Sequence, residues 1–245
     1  MKIRVLTYNI HKGWSIGNRR FVLENLRDTI RQTQANIVYL QEVIGSGIKK
    51  GSTLEDNSAQ FEFLADSVWS HYAYGKNAVY SQGHHGNAIL SQFPFIQTEN
   101  LDVSTNRFER RGLLHGVIQD VESKKKLHLI CVHLNLMERG RKKQIEALCE
   151  RIESSVPRSE PLIIAGDSND WRGRVSQELL DRLSVVEAYQ FIHGKHARTF
   201  PSFLPLMSLD RIYCRGVSIH DVERLVSPGW RNLSDHLPLM AELDW

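Results

Sequence analysis

The chain has 245 residues, of which 41% are hydrophobic and 24% charged, with a formal net charge of +3. That is ample for one sizeable core, and a single domain over 1–245 is expected. No stretch approaches the roughly 20 apolar residues of a membrane span, and the weakly basic balance permits an anionic substrate without demanding nucleic acid.

The opening residues, Met1-Lys2-Ile3-Arg4-Val5-Leu6, alternate charged and apolar side chains. They lack the apolar core of a signal peptide and predict a first strand. Apolar runs suited to buried strands follow at 37–40, 88–90, 113–118, 127–134, 162–165, 211–213 and 237–243. Between them, helical spacing over 20–34 places Phe21, Leu23, Leu26 and Ile30 on one face. A charged helix is predicted over 138–152 and a shorter one over 177–183. Residues 45–57, rich in glycine and lysine with little to bury, read as a surface loop. The three lysines of Lys124-Lys125-Lys126 read as a solvated hairpin. Strands and helices mixed without strict alternation predict an α/β sandwich of two face-to-face sheets with helices outside. Cys131, Cys149 and Cys214 show no metal-type spacing and read as buried reduced thiols, so a cytoplasmic location is expected.

Polar residues stand at the ends of these runs. Asn9 follows the first strand and Glu42 the second. Each offers a ligand oxygen, and with Asp235 they would suit a hard cation such as Mg²⁺. In isolation, Asn after a strand is commonly a turn residue and Glu a solvated one. In Gly166-Asp167-Ser168-Asn169-Asp170, a glycine lets the backbone turn after a buried strand and two oxygen-bearing side chains follow on one face. The bland reading is an Asx-turn capping the next helix, which suits Asp170; Asp167 and Asn169 are read as chemical. His133 ends a long strand. It is either a satisfied half-buried histidine or a donor to a phosphoryl oxygen. Asp210 with His236 makes an orienting carboxylate and imidazole, the second link of a base dyad. Arg111 at a strand start could fork onto phosphate oxygens, or be an ordinary edge arginine. In His84-His85-Gly86-Asn87, adjacent histidines of an extended segment point to opposite faces and cannot easily share one metal. One of them, with His11 and Lys12, could line a cleft. Trp14, Trp171 and Trp230 each lie near one of these segments, where packing is the simple reading and stacking on a base or sugar the functional one.

In order along the chain, Leu6-Thr7-Tyr8-Asn9-Ile10, Leu40-Gln41-Glu42-Val43, Gly86-Asn87-Ala88-Ile89-Leu90-Ser91, Arg111-Gly112, Val132-His133-Leu134, Gly166-Asp167-Ser168-Asn169, Leu209-Asp210-Arg211-Ile212-Tyr213 and Ser234-Asp235-His236 resemble the endonuclease/exonuclease/phosphatase (DNase I-like) superfamily, and within it the small stand-alone bacterial members. The resemblance implies a four-layered α/β sandwich of two packed, mainly antiparallel sheets flanked by helices, and divalent-metal phosphoester hydrolysis, with Mg²⁺ as the metal and Mn²⁺ as its alternative. It implies Glu42 as principal metal carboxylate, aided by Asn9 and Asp235. Asp167 and Asn169 match the pair that prepares the attacking water and holds the phosphate, His236 with Asp210 the dyad, and His133 the second phosphate-contacting histidine. Arg111 matches a phosphate-binding arginine; Asn87, His85 and His11 are expected to line the substrate site. Ser168 stands where the family usually has a bulky residue, which predicts looser packing behind Asp167. His11 stands where abasic-site enzymes carry an acid, which argues against that branch.

The expected activity is a monomeric phosphodiesterase with Asp167 or His236 taking the water's proton. Nucleic acid is the first-ranked substrate, with a phospholipid head group or small soluble phosphoester second, the former reached by peripheral contact. The rival is a phosphate-binding module that has lost catalysis, and every matched polar position being chemically competent speaks against it.

Overall fold

The computed structural model describes residues 1–18, 20–46, 59–65, 68–80 and 83–245. The predicted surface loop over 45–57 lies outside them except for its first two residues, which end a strand.

Among the described residues, twelve strands form two six-stranded sheets. The first carries β1 (Lys2–Asn9), β2 (Ile37–Ser46), β3 (His71–Tyr80), β4 (Gly83–Ser91), β11 (Ser218–Arg224) and β12 (Leu239–Asp244), in the order β11-β12-β1-β2-β4-β3. The second carries β5 (Phe95–Asp102), β6 (Gly112–Gln119), β7 (Lys126–His133), β8 (Leu162–Asp167), β9 (Val186–Glu187) and β10 (Asp210–Arg215), in the order β5-β6-β7-β8-β10-β9. Each sheet has one parallel pair at its centre, β1 with β2 and β7 with β8, and antiparallel pairs elsewhere.

Side-chain alternation builds the layers. Ile3 and Val5, Ile37 and Tyr39, Leu129 and Cys131, Ile163 and Ala165, and Ile212 and Cys214 point inward and meet in one core between the sheets. Their neighbours Leu6, Tyr8, Val38 and Leu40 point outward onto α1 (Leu23–Gln32) and α2 (Gln60–Ala65). Ile130, Val132, Leu162, Ile164 and Tyr213 point outward onto α3 (Glu138–Ser155) and α4 (Arg174–Leu183). Helical spacing supplies the opposing faces: Leu23, Leu26 and Ile30 on α1, and Ile145, Leu148, Cys149 and Ile152 on α3. The result is the predicted four-layered sandwich. Two short helices, α5 (Ala188–His193) and α6 (Pro228–Arg231), complete it.

The helix predicted from residue 20 starts only at Leu23. Phe21 lies before it, bridged to Trp14 in backbone pairing and edge-on to its ring at 5.6 Å. Lys124 and Lys125 follow the exposed turn at 121–123 between β6 and β7, and Lys126 begins β7.

The same alternation positions the polar ends. Asn9, His133, Asp167 and Asp210 share the inward parity of the core residues on their own strands, but stand beyond them at the strand ends. The C-terminal ends of β1, β2, β7 and β8 and the N-terminal ends of the antiparallel β4, β6, β10 and β12 therefore share one rim, where the space between the sheets opens.

Candidate active site

Residues His133, Asp167 and Asp210 sit side by side on β7, β8 and β10, paired directly in the sheet register. Asp167 Oδ2 is the point of convergence. Asn9 Nδ2 donates to it at 3.2 Å from the opposite sheet, His133 Nε2 lies 3.6 Å away and His236 Nε2 3.8 Å away. Its other oxygen, Oδ1, accepts the Asn169 backbone N–H at 2.9 Å. Asn169 takes a positive φ of 50°, a conformation asparagine tolerates well, and its side-chain amide donates to the Leu134 carbonyl at 2.9 Å. The predicted dyad forms: His236 Nδ1 and Asp210 Oδ2 are 2.9 Å apart, both residues buried. Asp170 takes the modest role foreseen for it, accepting the Val175 N–H at the start of α4.

Burial pushes the Asp167 carboxyl up to about 6, against the pull of His236 and with the push of Asp210. Burial pulls His236 down, but Asp210, Asp167 and Asp235 outweigh it and raise the imidazole to about 10. His133 moves the other way; burial, with Arg111 beside it, holds it well below the usual histidine range. The two imidazoles of one site are thus shifted in opposite directions.

Glu42 arrives by a device the sequence hides. The β2–β4 register shifts between Leu40 and Val43, and Glu42 takes a φ of 58°. A bulge of this kind re-aims a side chain, and here it brings the carboxylate to Lys12 Nζ at 3.5 Å. Burial pushes this carboxyl up, yet His133, Lys12, His11 and His236 together hold it at about 2. Asp235 Oδ1 lies 3.4 Å from His11 Nδ1, and Asn9 Oδ1 accepts the His11 backbone N–H at 3.1 Å. Two carboxylates and an amide oxygen are a hard donor set, so Glu42, Asp235 and Asn9 fit a divalent cation such as Mg²⁺ by their chemistry. Among the described residues, Asp167, Asp210 and His236 form the one group of three acidic or imidazole side chains whose ligand atoms all lie within 4.8 Å of one another.

The expected substrate-lining residues divide. His85 lies among Lys12, Glu42 and Arg111, and burial with Lys12 pulls it down to about 4. Its neighbour His84 faces away and meets the Tyr74 hydroxyl at 3.0 Å, the opposite-face arrangement that adjacent strand residues must adopt. Arg111 is held by Glu109 at 3.6 Å and donates to the Leu134 carbonyl at 3.4 Å, the same carbonyl that anchors Asn169. Asn87 commits its N–H groups to the carbonyls of Gly112 and Cys131, bridging the sheets, and its Oδ1 has no partner. Ser168 does not loosen the packing behind Asp167. It is buried, and its hydroxyl and N–H both donate to the Leu209 carbonyl, pinning β8 to the approach of β10. Trp230 is buried edge-on against Tyr8, whereas Trp171 is half exposed beneath a stacked Arg141 guanidinium 5.1 Å away.

The family model described as Endonuclease/Exonuclease/phosphatase family matches residues 6–236. The chain belongs to that family. Members of the endonuclease/exonuclease/phosphatase family are phosphoester hydrolases and generally depend on a divalent metal. The chain is 45% identical over 242 residues to the uncharacterized protein YbhP of Escherichia coli K12, covering 98% of this chain and 95% of that one. Among solved structures, the human Nocturnin catalytic domain with bound sulfate superposes with a TM-score of 0.78 at 19% identity, covering 99% of this chain and 93% of that one. The D. rerio TDP2 complex with a single-strand DNA product superposes with a TM-score of 0.73 at 18% identity, covering 100% and 99%. These likenesses show the DNase I-like fold. No described helix is long and apolar enough to cross a membrane.

Proposed function

We propose that this family member is a divalent-metal-dependent phosphodiesterase that attacks its substrate with water prepared at Asp167. The observation that carries this reading is the convergence of Asn9, His133 and His236 on Asp167 Oδ2, with Asp210 bonded behind His236. A carboxylate raised to about 6 is a competent base near neutral pH. His236, held protonated, donates to a phosphoryl oxygen as negative charge builds, and Asp210 fixes its ring. His133 and Asn169 add donors, and Arg111 stands close enough to His133 to add its charge. Glu42, Asp235 and Asn9 would hold Mg²⁺ or Mn²⁺, which neutralises and polarises the phosphate when bound.

Nucleic acid is the substrate class the rim favours. Phe108 and Trp171 are exposed on loops at this rim, each with an arginine against its ring, and Arg110, Arg139, Arg172 and Arg174 are exposed near them. Aromatic faces interleaved with guanidiniums suit a single strand, and the TDP2 structure of the same fold carries a single-strand DNA product. The second reading, a phospholipid head group, draws on Phe203, Leu204 and Leu206, exposed on the loop before β10.

The test is hydrolysis of bis(p-nitrophenyl) phosphate and p-nitrophenyl phosphate with Mg²⁺ or Mn²⁺, with EDTA, and with Glu42→Ala. EDTA-sensitive cleavage of the diester, abolished in Glu42→Ala, is expected. Equal rates with and without EDTA would sink the metal-dependent reading. Oligonucleotide binding that falls steeply with salt favours nucleic acid; salt-insensitive turnover of a head-group diester favours the lipid reading.

A further inference from the structure

The motifs of the site leave out a segment that touches both halves of the dyad. Residues 199–202 lie between α5 and β10, and Thr199 and Ser202 are both completely buried. A buried hydroxyl must find partners, and these two find theirs on the segments that lead into or carry Asp210 and His236. Thr199 Oγ1 accepts the backbone N–H of Asp210 at 3.3 Å and of Leu209 at 3.4 Å, while the Thr199 carbonyl accepts the Leu237 N–H at 2.9 Å. The Ser202 N–H donates to the Asp235 carbonyl at 2.7 Å, and its hydroxyl donates to the Ser234 carbonyl at 2.7 Å, with the Arg231 carbonyl 3.1 Å away. Between them, the Phe200 ring packs on the His236 imidazole with centroids 5.0 Å apart.

Asp210 and His236 are 26 residues apart, on β10 and on the approach to β12, which belong to different sheets. Nothing in the ladder of either sheet fixes their separation. The segment 199–202 spans that gap, with one hydroxyl on the Asp210 side, a carbonyl, an N–H and a hydroxyl on the His236 side, and an aromatic face against the ring itself. We infer that Thr199, Phe200 and Ser202 are positioning residues that clasp the dyad, setting the Asp210–His236 contact on which the proposed hydrolysis rests. A hydrogen-bonded pair shared between two sheets is sensitive to small relative shifts, and a misplacement on the order of 1 Å can cost about a hundredfold in rate.

The test compares Thr199→Val, which keeps shape but removes the acceptor, with Thr199→Ser, which keeps it. Two readouts are taken alongside thermal unfolding. The first is kcat and KM for diester cleavage, with Asp210→Asn alone and combined with Thr199→Val. The second is the proton NMR signal of the His236 Nδ1–H, identified by its loss in Asp210→Asn, which reports the contact whether or not a substrate is turned over. Expected are a kcat lower by about ten- to a hundredfold in Thr199→Val with KM little changed, recovery in Thr199→Ser, and no further loss when Thr199→Val is added to Asp210→Asn. The His236 signal moves or broadens in Thr199→Val and stays in Thr199→Ser. If Thr199→Val fails to fold, Ser202→Ala carries the same comparison from the other side. A folded Thr199→Val with the wild-type His236 signal overturns the clasp, as does an additive loss on top of Asp210→Asn. Wild-type protein without diesterase activity but with a clasp-dependent His236 signal would instead overturn the phosphodiesterase reading and leave the clasp standing.

Discussion

Asn9 Nδ2 donates to Asp167 Oδ2 at 3.2 Å across 158 residues of chain. Asn9 ends a strand of one sheet and Asp167 a strand of the other, so this bond ties the sheets together at the mouth of the core. It also gives Asn9 two tasks, since its oxygen remains on the side of His11 and the proposed metal donors. Replacing Asn9 with Asp would turn a donor into a second carboxylate beside Asp167. Like charge raises a carboxyl further, so the acid limb of the kcat/KM profile should move to higher pH than in wild type. A pH–rate series from 5 to about 9, bracketing the wild-type limb, checks the direction.

Asp167→Asn should lower turnover by about a hundredfold or more without loss of stability. The Asp167 carboxyl is raised to about 6 in the folded chain, above its ordinary value. The folded state therefore binds the proton more tightly, and ionising Asp167 costs stability as pH rises through that window. At pH 7 the Asn variant should melt no lower than wild type, and the difference should vanish near pH 4 (about the ordinary aspartate range). Calorimetry at both pH values decides; a strongly lowered Tm at pH 7 would mean that Asp167 is a structural residue.

His236 carries the opposite sign. Its folded value, about 10, lies above the ordinary histidine value, so its contribution is fully present below about pH 6.5 and is lost as pH rises toward 10. In EDTA, urea unfolding of wild type should show stability falling across that interval, and His236→Gln should flatten the slope. Parallel slopes for the two proteins would refute the assignment.

Gly166→Ala should be among the most damaging small substitutions. Gly166 has a φ of 144°, and an added Cβ would lie 2.0 Å from the Val132 carbonyl oxygen on the neighbouring strand. Backbone cannot retreat there without parting the central parallel pair of the second sheet, so a loss of about 4 kcal/mol or more is expected. Denaturant unfolding, or failure to recover soluble protein, measures it.

The buried strands were legible because central strands read as apolar runs, and those of β1, β2, β4, β6, β7, β8, β10 and β12 each contain one. The unread strands, β3, β5, β9 and β11, are the four sheet edges. Edge strands have one solvated side and are often polar, as in Phe95-Ile96-Gln97-Thr98-Glu99-Asn100 of β5 and Ser218-Ile219-His220-Asp221 of β11, so their sequences resemble loops. α2 and α5, six residues each, are too short for a helical period to show.

By itself the sequence determined the layers and the chemical inventory. Alternation sorts Ile163 from Ile164 and Val5 from Leu6, and the polar residues at strand ends name the groups available. Tertiary structure decided which of them meet. The convergence on Asp167 joins residues 9, 133, 167 and 236, whose spacing along the chain carries no distance. The φ of Glu42 depends on a bulge against β4, and the grip of Thr199 and Ser202 depends on two sheets ending at one rim. Local patterns are set by neighbours within a turn or a strand. Contacts between sheets are set by how the whole core packs.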